Sequence, residues 1–419
     1  MDSIYTSAVL TLIAAVGDDS AYGLPGVSKE RRVRYRDAAV GDICVSYVPP
    51  TVHRVINRSR WSTRGWTFQE GYLSRRRLYF TESAVLFICN QLQEYEGFQR
   101  CASESDVFML EGTLNPRALG VRSDGASGHH QVMRLIERYS ARELSYDYDA
   151  LNAILGVLNY HRAKDQPNDT IWGIPYRLAQ AEQRIICISW RHASTAIRRP
   201  DYPSWSPLGW NGSVEFPADL HQFELSEKDA SSISDHVQNG IGNRHLGESP
   251  RYLRITVKLH RFPVVSIVRA GGVDRWDTDL TEWPRAFLVL PIGGATRDGA
   301  DMKLYMHILW DKEPPDDYDC TQTICAIIHD KDLRFLSMMV LRDHGTHYER
   351  IGFAMTELSI HDHMMKIGEG FVVLDSSTNG IQTLRAKDTP GFLWRSLTDG
   401  HEEYLSWIRH VESVTIRLG

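Results

Sequence analysis

The sequence predicts an α+β protein, in which an incomplete α/β module is followed by a β-rich domain with a sandwich or barrel-like architecture. In the second half, residues 252–259 alternate apolar and polar side chains, as in a strand with one buried face. The first half instead mixes helical and strand periodicity. These patterns divide the chain into the module at residues 1–170, a Trp-rich connector and polar linker at 171–250, and the β-rich domain at 251–419.

The module is predicted to be incomplete because its first clear element is an apolar strand. Residues 9–15 form a short apolar run, and a turn rich in glycine and proline follows at residues 22–26. A strand that is buried on both faces needs neighbours on both sides, but only one turn of residues precedes it. We therefore expect either a partner strand from later in the chain or a module that begins in mid-domain.

The composition is that of a globular protein, with 419 residues, 42% of them hydrophobic and 24% charged. A net charge of -6 gives no indication of a nucleic-acid or anionic membrane partner. No apolar run approaches the roughly 18 residues of a membrane span, and the N-terminus lacks the pattern of a signal peptide. Six scattered cysteines without C-x-x-C spacing predict reduced thiols. We therefore expect a cytoplasmic protein with no membrane span and no nucleic-acid partner.

Residues 60–82 hold the densest mixture of aromatic and charged side chains: two tryptophans, five arginines and two carboxylates. Indole rings favour burial with a partner for the N–H, whereas arginine head groups must be paired or hydrated. We therefore expect a half-buried segment that is held by ion pairs. Within it, residues 64–73 have helical spacing, and residues 78–81 and 84–89 are predicted to form a hairpin.

Helical spacing of apolar residues at 132–139 and 151–158 predicts two helices after an exposed loop at 97–128. The second helix would begin near Asp147 or Asp149, because either carboxylate can cap it. The remaining predicted elements are one helix at 401–410 and strands at 264–268, 287–290, 304–310, 323–328, 335–341, 371–374 and 414–418.

Motifs of the common chemistries are absent or weak. The chain has no glycine-rich phosphate loop and no G-x-S-x-G elbow. His361-x-His363 and His129-His130 lack further ligands at metal-binding spacing, so we interpret them as exposed loop histidines. The sequence therefore predicts no metal site and no cofactor.

Two groups of charged residues leave alternatives open. The run Arg75–Arg77 fits either a nucleic-acid or anion site or, preferably, a solvated strand start that pairs with Glu70 and Glu82. Glu70 follows a tryptophan within an arginine-rich patch, where a carboxylate can act as a base or orient a sugar hydroxyl. An ion-paired structural role for Glu70 is the preferred alternative, and a catalytic role stays open.

Four motifs occur here in an order that one protein family shares. The most specific is written RGWTxQE…LSxR, and its matching residues are Arg64, Gly65, Trp66, Thr67, Gln69, Glu70, Leu73, Ser74 and Arg76. A second motif lies before it; this motif begins at Ile4 and Tyr5 and ends in GLPG, at Gly23, Leu24, Pro25 and Gly26. The other two occupy residues 139–156 and 203–210. Together they resemble the HET (heterokaryon incompatibility) domain of fungi over residues 1–212, and residues 415–419 resemble the tail of such proteins more weakly.

The resemblance implies a role in fungal nonself recognition, in which HET domains execute regulated cell death. It also implies a distant similarity to TIR domains, which are α/β folds, some of which cleave NAD. The family segments "SY.WG" and "W.D..CI.Q" have no counterpart here, so we expect an N-terminally truncated HET domain. Pro207-Leu208 also replaces the Trp-Ala of the downstream segment.

Three functions are compatible with this resemblance. The first is a cell-death effector or signalling module that acts through protein contacts, with partners from the incompatibility pathway and self-association. The second is a NAD-cleaving, TIR-like glycohydrolase with Glu70 as the catalytic carboxylate. The third is an inactive truncated relative. Whether the chain is an enzyme is left open by the sequence.

Overall fold

In the computed structural model, the chain forms two compact units, Met1–Pro175 and Tyr176–Gly419. The predicted division at residues 170 and 250 stays a prediction. The structure describes residues 2–27, 38–41, 43–45, 52–89, 93–96, 128–163, 169–178, 184–217, 223–231, 233, 251–267, 285–291, 302–312, 322–329, 335–361, 364–367, 371–374 and 406–419.

The first unit mixes helices and strands. Its helices are α1 (Asp2–Ser7), α2 (Val52–Asn57), α3 (Arg60–Thr63), α4 (Thr67–Leu73), α5 (Gly128–Ser140) and α6 (Asn152–Arg162), with a 3-10 helix at Asp147–Asp149. Its strands are β1 (Thr11–Ala14), β2 (Ala38–Val40), β3 (Ile43–Val45), β4 (Arg76–Phe80), β5 (Val85–Cys89), β6 (Gln93–Tyr95) and β7 (Asp169–Ile171). The main sheet has the order β1-β4-β5-β6, in which β1 is parallel to β4 and the other neighbours are antiparallel.

The predicted hairpin is confirmed as β4 and β5, which are antiparallel and place Phe80 opposite Val85. The predicted N-terminal strand is confirmed as β1, which pairs with a strand from later in the chain. Its predicted burial on both faces is wrong. Ile13 is buried, but Leu12, which points to the opposite face of the sheet, is 58% exposed, so the described residues leave that face uncovered. β4 is the only neighbour of β1 among the described strands.

The two predicted helices after the loop correspond to α5 and α6, but the predicted caps are wrong. Asp147 and Asp149 lie in the 3-10 helix, whereas α6 begins at Asn152 after Leu151, with no side-chain cap. The Asp149 carboxylate instead accepts the indole N–H of Trp66 at 3.2 Å. The Asp149 carboxylate, which the sequence predicts to be a helix cap, therefore makes a tertiary contact with Trp66 instead.

The second unit is rich in β-structure, as the sequence predicts, and the boundary between the units falls within β8 (Ile174–Arg177). Its further strands are β9 (Ile185–Ile186), β10 (Arg191–His192), β11 (Ile197–Arg198), β12 (Trp210–Asn211), β13 (Val214–Glu215), β14 (Phe223–Glu224), β15 (Leu253–Phe262), β16 (Val264–Ile267), β17 (Arg285–Pro291), β18 (Met302–Trp310), β19 (Thr323–His329), β20 (Phe335–Asp343), β21 (Tyr348–His361), β22 (Met364–Ile367), β23 (Phe371–Leu374) and β24 (Ser413–Leu418). Its 3-10 helices are Pro207–Gly209 and Ser406–His410.

Ten strands form one large sheet with the main order β16-β17-β18-β21-β20-β19-β15-β24. The neighbours along this path are antiparallel, while Tyr348 and Leu418 join β21 to β24 in parallel. This last pairing closes a ring of strands, β21-β20-β19-β15-β24. Aliphatic side chains on one face form the core, including Leu288, Met306 and Val340.

Strand β21 is the central element that the sequence analysis missed. Arg350 within it has no exposed surface, and its Nε donates to Asp311 Oδ2 at 2.8 Å. Its guanidinium also donates to the carbonyl of Trp190 and lies 3.3 Å from the centroid of that indole ring. A charged residue that is buried by its partners interrupts the apolar alternation by which strands are recognised.

Two other predictions extend beyond the described residues. Most of the loop predicted at 97–128 lies outside them, as do residues 401–405 of the last predicted helix, whose remainder is the 3-10 helix at Ser406–His410. In the part of the chain that the structure describes, no helix is long and apolar enough to cross a membrane.

Candidate functional site

The signature residues of the first unit form a tight corner between α3 and α4. The Gly65 N–H donates to the carbonyl of Glu143 at 2.7 Å. A Cβ on Gly65 would lie 2.4 Å from Leu144 Cδ2 and 3.3 Å from the same carbonyl oxygen. The close approach of these two backbone segments therefore requires glycine at position 65.

Trp66 and Thr67 hold this corner from either side. The half-buried Trp66 donates its indole N–H to Asp149. The buried Thr67 hydroxyl bonds to the carbonyl of Trp61 and, at 2.7 Å, to that of Arg64. Arg64 contributes backbone groups only, and its side chain is exposed.

Gln69 joins α4 to α6 through both ends of its amide. Its Nε2 donates to the Asn152 carbonyl at 2.9 Å, and its Oε1 accepts the Gly156 N–H at 3.0 Å. These two backbone groups stand four residues apart on α6, which is the spacing of a helical hydrogen bond. Gln69 is 1% exposed, so its amide ties one turn of α6 directly to the signature.

Glu70 is half-buried and is held by groups of its own unit. One carboxylate oxygen accepts the Trp61 indole N–H at 3.0 Å, and the carboxylate is also hydrogen-bonded to the Tyr5 hydroxyl. Burial, followed by the charge and hydrogen bond of Glu70, raises the pKa of Tyr5 to about 12. Tyr5 therefore stays a hydrogen-bond donor to Glu70 throughout the physiological pH range.

Arg142 supplies the positive charge of the cluster. It donates to the Arg64 carbonyl at 3.1 Å and to the Thr67 hydroxyl at 3.0 Å. Its guanidinium lies 5.0 Å from the centroid of the Phe68 ring, at cation–π distance. Burial lowers the pKa of Arg142 to about 10, while nearby Tyr79, Tyr139 and Glu70 act in the opposite direction. Arg142 therefore stays charged at neutral pH.

The second half of the signature also serves packing. Leu73 is fully buried, and Ser74 Oγ lies 2.7 Å from Thr11 Oγ1, which links the end of α4 to β1. Arg76 is exposed at the start of β4. The buried Arg77 donates to the Gly71 carbonyl at 2.5 Å, so it is not part of a solvated face.

The ion pairs predicted for the arginine run are wrong for its exposed members. Neither Arg75 nor Arg76 pairs with Glu70 or Glu82 among the described residues. Glu70 instead accepts hydrogen bonds from neutral aromatic N–H and O–H groups. Arg60 of the same segment does form an ion pair with Glu143, at 2.9 Å, but both side chains are exposed.

The GLPG motif forms a separate turn. Gly23 and Gly26 have positive φ angles of 78° and 83°, and Val27 N donates to the Leu24 carbonyl at 3.0 Å. Pro25 is buried. None of the four motif residues is a hydrogen-bond partner of Glu70, so the structure does not join this turn to the carboxylate.

The histidines do not form a described metal centre. His129 is buried within α5, so its interpretation as an exposed loop residue is wrong. His361 lies in β21, whereas His363 is outside the described residues. The described part of the chain contains no group of three or more metal-ligating side chains that could hold an ion.

Most partners of Glu70 and Gln69 were not assigned from the sequence. Tyr5, Asn152 and Gly156 are distant in the sequence, and the last two contribute backbone atoms, which periodicity cannot detect. Trp61 is only nine residues from Glu70, but its pairing through the indole N–H was not predicted. A signal was nevertheless present, because Tyr5, Asn152 and Gly156 lie within the motifs that gave the family resemblance. Those motifs meet in space at α4.

The chemistry of the cluster is that of a packing junction with one partly exposed carboxylate. Trp61, Phe68 and Tyr79 surround its charged groups, and Trp61 meets Tyr79 edge-on at 5.5 Å between ring centroids. Glu70 and Arg142 could orient a polar ligand only at their remaining exposed surface. The hydrogen bonds that are present hold α3, α4 and α6 together.

Comparison with known proteins gives one match. The family model described as "Heterokaryon incompatibility protein (HET)" matches residues 1–70. No curated protein and no solved structure matches the chain. The matched segment includes the GLPG motif and ends on Glu70, so it confirms the predicted resemblance over these residues. This match is consistent with a HET domain protein.

Proposed function

We propose that the protein acts in fungal nonself recognition as a cell-death effector or signalling module that works through protein contacts. The observation that supports this most is the family match to residues 1–70, together with the packing role of the matched signature. Gln69, Thr67 and Gly65 are used to hold elements of the unit together. Such a rigid corner is suited to presenting a surface.

The exposed side of the corner is the surface that we assign to these contacts. Arg64 is exposed there, and Arg60 forms an exposed ion pair with Glu143 at 2.9 Å. Exposed pairs contribute little to stability, so these side chains are available to a partner. The partner is a protein of the incompatibility pathway or a second copy of the chain, and we place the encounter in the cytoplasm, without a cofactor.

Regulated expression in a fungal host tests the proposal. The wild-type chain should be toxic, and Arg64→Glu should abolish toxicity without loss of soluble protein. Arg134→Glu is the matched control, because it makes the same charge reversal on an exposed part of α5. Harmless wild-type protein at good soluble levels would instead support the inactive relative.

A NAD-cleaving, TIR-like enzyme is the alternative. Two observations favour it: the parallel pairing of β1 with β4, as in an α/β sheet, and the partial exposure of Glu70. Two hydrogen bonds from Trp61 and Tyr5 already engage the carboxylate, which favours the structural role. Release of nicotinamide from NAD discriminates the two functions.

A further inference from the structure

Two arginines of the second unit stand directly opposite each other on neighbouring strands. The antiparallel register of β15 and β24 pairs Arg254 with Arg417, and both side chains are exposed. Residues that face each other in this way have Cβ atoms about 4.5–5.5 Å apart, and like charges there are destabilising. Among the described residues, neither guanidinium forms an ion pair that would offset the repulsion.

A tyrosine ring and two histidine rings lie beside this arginine pair. The Arg417 guanidinium lies 3.7 Å from the centroid of the Tyr252 ring, and that ring is 5.4 Å from the His347 ring. His344 stacks on His347 with centroids 5.0 Å apart. The pKa of His347 is lowered by burial first, and then by the charges of His344, Arg417 and Arg251.

The acidic groups of this region are already engaged. Glu349 accepts from Lys312 and from His344, both at 3.1 Å. Asp343 accepts the Gly345 N–H at 2.7 Å. Asp229 is buried, and its carboxylate bonds to the N–H of Thr256 at 2.9 Å. Among the described residues, no carboxylate is therefore paired with Arg254 or Arg417, and both side chains are exposed.

We propose that Arg254, Arg417 and Arg251, with His347 beside them, bind the phosphate group of a small phosphate ester. Guanidinium forks match phosphate oxygens in a bidentate manner, so two opposed arginines can take one doubly charged anion between them. Arg251 is exposed at the same end of β15, with one Nη2–H bond to the Pro200 carbonyl at 2.6 Å. The Tyr252 ring holds Arg417 in position for this contact. The anion would remove the repulsion that the free protein tolerates.

The test uses inorganic phosphate and glycerol 3-phosphate as probes, with chloride at matched ionic strength as the reference. Calorimetric titration of the full chain should give saturable phosphate binding. Arg254→Gln and Arg417→Gln should each weaken it about tenfold or more, the loss expected for a charged hydrogen bond. Arg409→Gln, at an exposed arginine of the last 3-10 helix, should leave binding unchanged.

Thermal unfolding gives a second test, because Arg254→Gln should change the Tm differently with and without phosphate. Without phosphate, Arg254→Gln should raise the Tm, because it removes the like-charge contact. With phosphate, the same variant should lose the ligand-dependent rise that the wild type shows. A histidine NMR titration should also show that phosphate raises the pKa of His347 in the wild type.

Three results would overturn the proposal. One is that phosphate binds no better than chloride. Another is that both arginine variants bind phosphate as the wild type does. The last is binding to phosphatidylcholine vesicles that contain phosphatidic acid without binding to either soluble phosphate, since this would assign the arginines to a membrane surface.

Discussion

Gly156→Ala and Gln69→Ala together probe the junction between α4 and α6. A Cβ at position 156 would lie 2.2 Å from Gln69 Oε1, 2.8 Å from Asp2 Cβ and 3.2 Å from Leu73 Cδ1. Overpacking of this kind costs about 1–3 kcal/mol of stability, less the roughly 0.5–1 kcal/mol that alanine gains over glycine in a helix. Gln69→Ala removes two hydrogen bonds at about 0.5–1.5 kcal/mol each, which gives about 1–3 kcal/mol.

The double variant should be more stable than the sum of the single losses predicts. Without the Gln69 amide, the new methyl group loses its closest contact, at 2.2 Å, and only the more distant contacts with Asp2 and Leu73 remain. The free energy of unfolding from urea titrations of all four proteins gives the coupling, which we expect to be about 1 kcal/mol or more. Losses that add to within about 0.5 kcal/mol would refute the direct contact.

Three further predictions concern other parts of the chain. Arg350→Met should lower the free energy of unfolding by about 3–5 kcal/mol, because it leaves the Asp311 carboxylate buried without the guanidinium. The double variant Arg350→Met/Asp311→Leu should recover much of this loss, as measured by thermal melts. Burial, as the first cause, lowers the pKa of His192 in the folded state, so the unfolded chain binds protons more readily. Stability should therefore fall as the pH drops below the unfolded value of about 6.5, and His192→Gln should flatten that part of the Tm–pH curve. Gly65→Ala should cost about 1–3 kcal/mol in urea titrations through its clash with Leu144; an unchanged midpoint would contradict the close approach at the corner.

Elements with local periodicity could be predicted from the sequence. The β4–β5 hairpin has two apolar runs and a short polar turn, and β15 alternates over most of its length. Both patterns arise because one face of each strand is buried. Such burial can be recognised from residues that are close together in the sequence. The corner around Trp66 was likewise expected to be half-buried, and Trp66 is half-buried.

The features that the sequence analysis missed depend on distant partners. Strand β21 was not predicted because Arg350 breaks its alternation, and its burial depends on distant partners, Asp311 and Trp190. Asp149 fits a helix cap by its position, but Trp66 takes its carboxylate. Glu70 was expected among arginines, whereas its bound donors are an indole and a phenol. The sequence shows which charged residues a segment contains, but not which residues from elsewhere in the chain become their hydrogen-bond partners.

The most direct test of the central claim is nicotinamide release from NAD by the purified wild-type chain and by Glu70→Gln. We hold that Glu70 is a packing carboxylate, bound by Trp61 and Tyr5, in a module that acts through protein contacts. This account predicts no release above the protein-free blank for either protein, with both folded by circular dichroism. Release by the wild type that is lost in a folded Glu70→Gln variant would contradict it.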